Sequence, residues 1–457
     1  MKGEGFEAWL WKRWRDAPSP EPSSRLWLAV ASDRRRQDPP RARGYRMANL
    51  AWGLPGRRFR LAGLVGLAMV AVVAATGLVI VTGRLPAQNG AKASTPVPSA
   101  VSSPSVRTSI TGISWHASAT VPLTAQEPHV TSAGGRLFMV GTNWGEGTKT
   151  EVFSSADAVN WRPVSFDAAI GSGFSAAAIS DDGSGGLIVV GQDVVNGGYT
   201  VTPTIWHSSD GLTFARAQVE DSPGAMIDAV ASRAGEMVAV GFHRDANGIS
   251  TTVDLWFSTD AVSWKHQVLP GASGCMGPDI AIWKGEFMVA CDDAEKTAVW
   301  ASVNGRDWQK SGVNLGEFVP KEVLPVGDRV VLLGYLPDMN VGPIPVSRSS
   351  LDGLTWAEAH TGAVEPPFGF NAAAVVDGEI VAVMGSGQVD NTTDRPRISI
   401  SIDGIGWTDM PTDDALPAGY FNASVTAFDG RAVLAISNYD ATGAVMAGVR
   451  VFVGDLR

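Results

Sequence analysis

Ser350-Leu351-Asp352-Gly353-Leu354-Thr355-Trp356 is one of six copies of a single pattern, Ser-x-[Asp/Asn]-[Gly/Ala]-x-x-[Trp/Phe], found between Ser155 and Trp407. The other copies are Ser155-Ala156-Asp157 to Trp161, Ser208-Ser209-Asp210 to Phe214, Ser258-Thr259-Asp260 to Trp264, Ser302-Val303-Asn304 to Trp308 and Ser401-Ile402-Asp403 to Trp407. Successive serines stand 53, 50, 44, 48 and 51 residues apart. That period belongs to a blade or solenoid unit rather than a helical repeat.

Each copy follows a run of alternating aliphatics bounded by Gly or an acidic residue, the pattern of a strand after a tight turn. There are seven such runs: Gly135–Gly141, Leu187–Gly191, Glu236–Gly241, Glu286–Cys291, Arg329–Gly334, Glu379–Gly385 and Arg431–Ser437. The seventh run is followed by Val451-Phe452-Val453-Gly454-Asp455, and the chain stops at Arg457 before any Trp. The missing piece stands at the other end, where Gly112-Ile113-Ser114-Trp115 matches Gly404-Ile405-Gly406-Trp407. The expected fold is therefore all-β, a seven-bladed propeller of four-stranded blades over 111–457. Its N-terminal strand lies beside Val449–Val453 and completes the last blade, which removes a free sheet edge. A linear solenoid would carry capping repeats instead of complementary halves.

The motif also has a mechanical reading. Ser and Asp oxygens accept turn N–H groups, Gly tolerates positive φ, and the Trp packs on the next strand. The pattern resembles the Asp-box, or BNR, repeat of sialidase-like propellers, one residue shorter than Ser-x-Asp-x-Gly-x-Thr-Trp. That resemblance implies that the boxes are structural and lie at the blade periphery, away from any active centre. A sialidase would also carry an arginine triad, its first member within Arg-Ile-Pro, with a Tyr/Glu nucleophile pair and an acid Asp. No Arg-Ile-Pro occurs here, and none of those catalytic residues is carried over.

Before the ring, Leu61–Thr82 is an uncharged, mostly apolar stretch of 22 residues, long enough to cross a bilayer. Residues 1–60 hold 14 Lys or Arg against 6 Asp or Glu, with Arg57, Arg58 and Arg60 abutting the apolar run. The positive-inside rule puts that tail in the cytoplasm and the ring outside, in a single-pass cell-membrane protein. Residues 83–110, rich in Ala, Ser, Thr and Pro, read as a flexible stalk. The tail interleaves Trp9, Trp11, Trp14 and Trp27 with basic residues and prolines, which suits either a segment on the inner leaflet or a disordered basic tail. Met47 is an alternative start that preserves the same orientation.

Of the whole-chain charge of −10, the tail contributes +8, so the remainder carries −18. Such an acidic ring repels nucleic acid and anionic lipid, and favours basic or neutral partners. Cys275 and Cys291 sit nearly symmetrically about Trp283-Lys284-Gly285, on neighbouring strands where a disulfide fits.

No metal-ligand spacing, phosphate-binding loop or nucleophile elbow is present, so neither a cofactor nor a metal is expected. Binding is expected on the face built by the loops between second and third strands and between blades. Aromatics stand at the inner-strand entrance (Phe174, Phe318, Phe370, Phe421), and polar residues follow the second strand: Asn143, Asp193, His243, Asp292 and Asn438. Two functions fit this reading. One is a membrane-tethered, non-catalytic binding or scaffold domain for an extracellular protein, peptide or glycan. The alternative is a divergent glycoside hydrolase or lyase, which calls for two or more arginines and a carboxyl pair converging in the central funnel.

Overall fold

A computed structural model describes residues 110–457 apart from 144–147, 165–172, 196–199, 234, 245–249, 294–295, 312–314, 338–343, 361–367, 387–394, 412 and 440–444. The tail, the apolar stretch 61–82 and the stalk up to residue 109 lie outside the described residues, as do the middles of most loops on the expected binding face. Among the described residues no helix is long and apolar enough to cross a membrane.

Seven antiparallel sheets form the ring. Their inner strands are His129–Ala133, Phe174–Asp181, Ala225–Arg233, Met276–Trp283, Val319–Val326, Phe368–Val376 and Phe421–Phe428. Each inner strand packs against the next, and the last packs against the first. Second strands are buried on both faces, as at Leu187–Val190 and Val330–Leu333, because a neighbouring blade covers each side of them. Their near-continuous aliphatic runs follow from that double burial. Outer strands such as Arg162–Pro163 and Gln309–Lys310 are short and exposed, which limits the free edge they offer. Blade 3 departs from the four-stranded plan: Gln218–Val219 adds a fifth, parallel strand to its outer edge.

In blades 1, 4, 6 and 7 the inner and second strands are joined by two-residue turns in which both central residues have positive φ, as at Lys284-Gly285 (50° and 78°) and Asp429-Gly430 (51° and 70°). This turn geometry matches the twist of the paired strands.

Closure uses both ends of the chain. The sheet order of the seventh blade is Ile113–Val121, Val449–Leu456, Arg431–Asn438, Phe421–Phe428. The N-terminal strand is nine residues long, and its register runs from Ile113 opposite Leu456 to Val121 opposite Val449. Trp115 thus lies opposite Gly454, further toward the C-terminus than the expected pairing with Val449–Val453. The shift arises because Thr111 and Arg457 close a split hairpin: Thr111 N donates to Arg457 O at 2.7 Å, and Arg457 N to Gly112 O at 2.9 Å.

The boxes join third to fourth strands. In each, the Ser Oγ meets the Asp or Asn Oδ1 (3.0 Å in Ser155–Asp157 and Ser258–Asp260), and that oxygen accepts two backbone N–H groups further on. For Asp352 these are Leu354 N at 2.8 Å and Thr355 N at 2.6 Å. The indole N–H of Trp161, Trp264, Trp308 and Trp356 donates to the carbonyl of the Ala or Gly three residues earlier. Trp407 instead donates to Ser347 Oγ at 2.9 Å, and Ser347 in turn donates to Gly404 O. Gly305 and Gly404 show why this position is small. Both have positive φ, and a Cβ on either would come within 2.5 Å of Val238 or Val331 in the preceding blade. The box turn of each of these blades is therefore pressed onto its neighbour.

Candidate funnel at the inner-strand entrance

The box turns and the inner-to-second turns share one face. Inner strands begin and second strands end on the other, and these ends form the mouth of the central funnel. The described chain enters on the box face, where Ile110 N donates to Glu379 Oε1 at 2.9 Å beside the turn Asp377-Gly378.

Just inside the mouth the inner strands break register. Single residues bulge at Ala177, Asp228, Lys321 and Asn371, and blade 4 is irregular between Met276 and Asp279. A bulge re-aims a side chain at the cost of local pairing. Here Lys321 and Glu322, adjacent in sequence, join the same polar cluster. Asp228, Asp279, Lys321 and Glu322 are gathered there with Glu127 from the approach to blade 1, His129 at the start of its inner strand and Arg244 from the end of a second strand. Gln126, next to Glu127, is held by its carbonyl, which accepts from Tyr439 Oη and Asn422 Nδ2, both at 3.1 Å.

Several of these groups clasp the next blade. Val323 N donates to Asp279 Oδ2 at 2.7 Å, Ala373 N to Glu322 Oε1 at 3.0 Å, Ala423 N to Asn371 Oδ1 at 2.6 Å and Val130 N to Ser424 Oγ at 3.0 Å. A run of side-chain clasps thus links blades 4, 5, 6, 7 and 1. Positions equivalent to Asp279 and Glu322 are Ala178 and Ala229 in blades 2 and 3, so this clasp is not made there.

Burial sets the ionisation. It pushes Glu322 up to about 8, helped by the charge of Asp279 and opposed by Ala373 N–H. Asp279 rises to about 6 by burial, opposed by the N–H groups of Val323 and Ile280. Asp228 rises to about 7 by burial, against the attraction of Arg244. Burial likewise holds His129, Lys321 and Arg244 below their usual values. Lys321 is nevertheless exposed by surface area. Both observations fit a side chain ringed by protein but reached by funnel water. Asp228 Oδ2, Glu322 Oε2 and Arg244 Nε have no hydrogen-bond partner among the described residues.

These shifts carry opposite consequences for stability. The raised funnel acids favour the folded state below their unfolded values near 4, and that advantage is lost as pH rises through about 6 to 8. Box carboxylates run the other way: backbone N–H groups hold Asp210 and Asp352 down to about 2, so their contribution is present above about 4 and is lost as pH falls toward 2. The melting temperature is expected to peak in mild acid and to fall by several degrees toward pH 8. In Glu322→Gln that alkaline fall should be reduced; an unchanged fall would separate the funnel from it.

The structure places the polar residues read from sequence as follows. Asn143 ends a second strand opposite Lys149, and His243 lies against Gly224 at the mouth. Asp292 lies near enough to Tyr335 to raise its phenol, after burial. Asp193 is paired with Arg216 of an outer strand, and Asn438 is buried and accepts from Arg450. The funnel cluster lies one strand further in. Its members share no sequence signal; the repeated Phe-Asn-Ala at 370–372 and 421–423 marks Asn371, which clasps the next blade, and Asn422, which holds the Gln126 carbonyl.

Cys275 and Cys291 form a disulfide, with Cα atoms 5.8 Å apart, beside the mouth end of blade 4. Both are fully buried. Among the described residues no three His, Cys, Asp or Glu side chains are grouped to hold a metal ion.

No protein-family model matches the sequence, and no curated protein matches it. Solved structures similar to the ring include an alpha-L-arabinofuranosidase from Fusarium graminearum in complex with an iminosugar inhibitor, at 13% identity and a TM-score of 0.47, covering 74% of this chain and 97% of that one. Trypanosoma rangeli sialidase in complex with the inhibitor DANA shares 12% identity at a TM-score of 0.39, over 74% of this chain and 58% of that one. Virginiamycin B lyase from Staphylococcus aureus shares 8% identity at a TM-score of 0.49, over 76% and 99%. At these identities the likeness is one of fold alone.

Proposed function

We propose that the ring is an extracytoplasmic, membrane-tethered recognition domain that receives a protein, peptide or glycan group at the funnel mouth without transforming it. The observation that carries this reading is the use made of the central carboxyls: Asp279 and Glu322 each commit an oxygen to a backbone N–H of the next blade. One oxygen of each is thereby spent on joining blades, which fixes the carboxyl as a rigid polar contact. The orphaned polar atoms of Asp228, Glu322 and Arg244 supply groups for a polar ligand to satisfy, because buried polar atoms gain most from a new partner. The disulfide accords with an oxidising compartment, and the chain joins the ring on the face opposite the mouth.

A glycoside hydrolase or lyase is the second reading. It draws on two neighbouring carboxyls of unequal acidity, Asp279 and Glu322, the arrangement that divides acid from base roles. Against it, the cations gathered in the funnel among the described residues are Arg244 and Lys321, where the enzyme reading calls for two or more arginines. Glycan and peptide arrays probed with the full chain test the choice. Saturable capture with the array ligand recovered intact is expected; release of a cleaved sugar, abolished in Glu322→Gln, would replace binding with catalysis.

A further inference from the structure

Ten large apolar side chains are strongly exposed among the described residues, and eight of them stand on box turns. Blades 4 to 6 carry five: Val303, Leu351, Leu354, Ile402 and Ile405, with Val303 65% and Leu354 61% exposed. The position before the box Asp or Asn is Ala156, Ser209 or Thr259 in blades 1 to 3 but Val303, Leu351 or Ile402 in blades 4 to 6. The turn mechanics accept either kind of residue there, so box geometry does not account for the apolar sector. Blades 5 and 6 thus present two exposed apolar side chains on each box turn, where blades 1 to 4 present one.

We propose that the box face of blades 4 to 6 is a lipid-contacting surface, which rests against the outer surface of the membrane that anchors the chain. The proposal rests on the reading of residues 61–82 as membrane-spanning. Three observations select lipid as the occupant. The described chain enters the ring on this face, at blade 6, through Ile110 N to Glu379 Oε1. Only residues 83–109 separate it from the apolar stretch, so the tether keeps the face at high local concentration near a bilayer. The tips project from separate blades around one rim, an array suited to a flat, deformable surface rather than to a pocketed partner. Each tip is fixed by its turn; Leu351 is further held by Lys284 Nζ, which donates to its carbonyl at 2.6 Å. Shallow insertion of such tips at the interface follows the physics of peripheral anchoring.

Full-length protein in phosphatidylcholine vesicles tests the proposal, with a polarity-sensitive dye on Leu351→Cys, Ile405→Cys or, on the mouth face, Glu317→Cys. The native cysteines are buried in their disulfide, so the introduced thiol takes the label. Lipid-borne quenchers should quench the dye at 351 and 405 at least threefold more than at 317. Replacing Leu354 and Ile402 by Glu should abolish that difference while the chain still resists carbonate extraction. Equal quenching at all three positions in a carbonate-resistant chain would overturn the lipid face and leave the spanning segment intact. Selective quenching in a chain that carbonate releases would keep the face and remove the span. A dye shift that depends on protein concentration, without lipid quenching, would assign the face to a second copy of this chain and overturn the proposal.

Discussion

Deleting residues 111–121 is expected to destroy the monomeric ring. The strand Ile113–Val121 pairs along the whole length of Val449–Leu456, and it buries Trp115 and Val121 almost completely. Without it, Val451, Phe452 and Val453, all buried in the intact ring, lie on or beside an open sheet edge eight residues long. Full burial of one such side chain is worth about 1.5–3 kcal/mol, so losing several removes a large part of a domain stability of roughly 5–15 kcal/mol. The exposed edge also templates strand pairing with other copies. Light scattering and thermal melting of the deletion should show oligomers or an early, broad transition. A monomer that melts at the wild-type temperature would show that the ring does not need its N-terminal strand.

Trp264→Ala should cost about 3–5 kcal/mol. The indole is 1% exposed, packs with Val230, Met237 and Trp256, and donates to Ala261 O at 3.0 Å. Truncation leaves a cavity and an orphaned carbonyl at once. Trp356, only partly buried at its blade edge, should cost less when truncated although it occupies the same box position. Chemical denaturation of both variants checks the order. If Trp264→Ala is as stable as wild type, or if folded Trp264→Ala no longer captures the array ligand, the boxes are not purely structural.

The architecture was legible because it repeats: a box every fifty residues or so names the hairpin, and an unfinished last blade with a matching N-terminal fragment names the closure. The exact register was not, since it depends on how Thr111 and Arg457 share hydrogen bonds across a split turn. The funnel was harder to read for a different reason. Its residues come singly from different inner strands, and the bulge at Lys321 or Asp228 shifts a side chain's direction by one position that alternation cannot anticipate. Reading polar residues after the second strand found Asp193 and Asn438, which meet Arg216 and Arg450 of strands further out. The repeated Phe-Asn-Ala at 370–372 and 421–423 pointed further in, to Asn371, which clasps the next blade, and Asn422, which holds the Gln126 carbonyl.

Titration of the array-selected ligand against funnel variants decides whether recognition lies in the funnel. Asp228→Asn and Lys321→Met alter groups that make none of the blade clasps described above, and they should retain cooperative melting. Both should weaken the ligand at least tenfold, while Asp193→Asn, whose partner is Arg216 of an outer strand, should leave affinity unchanged. Wild-type affinity in Asp228→Asn and Lys321→Met would contradict the assignment of recognition to the funnel.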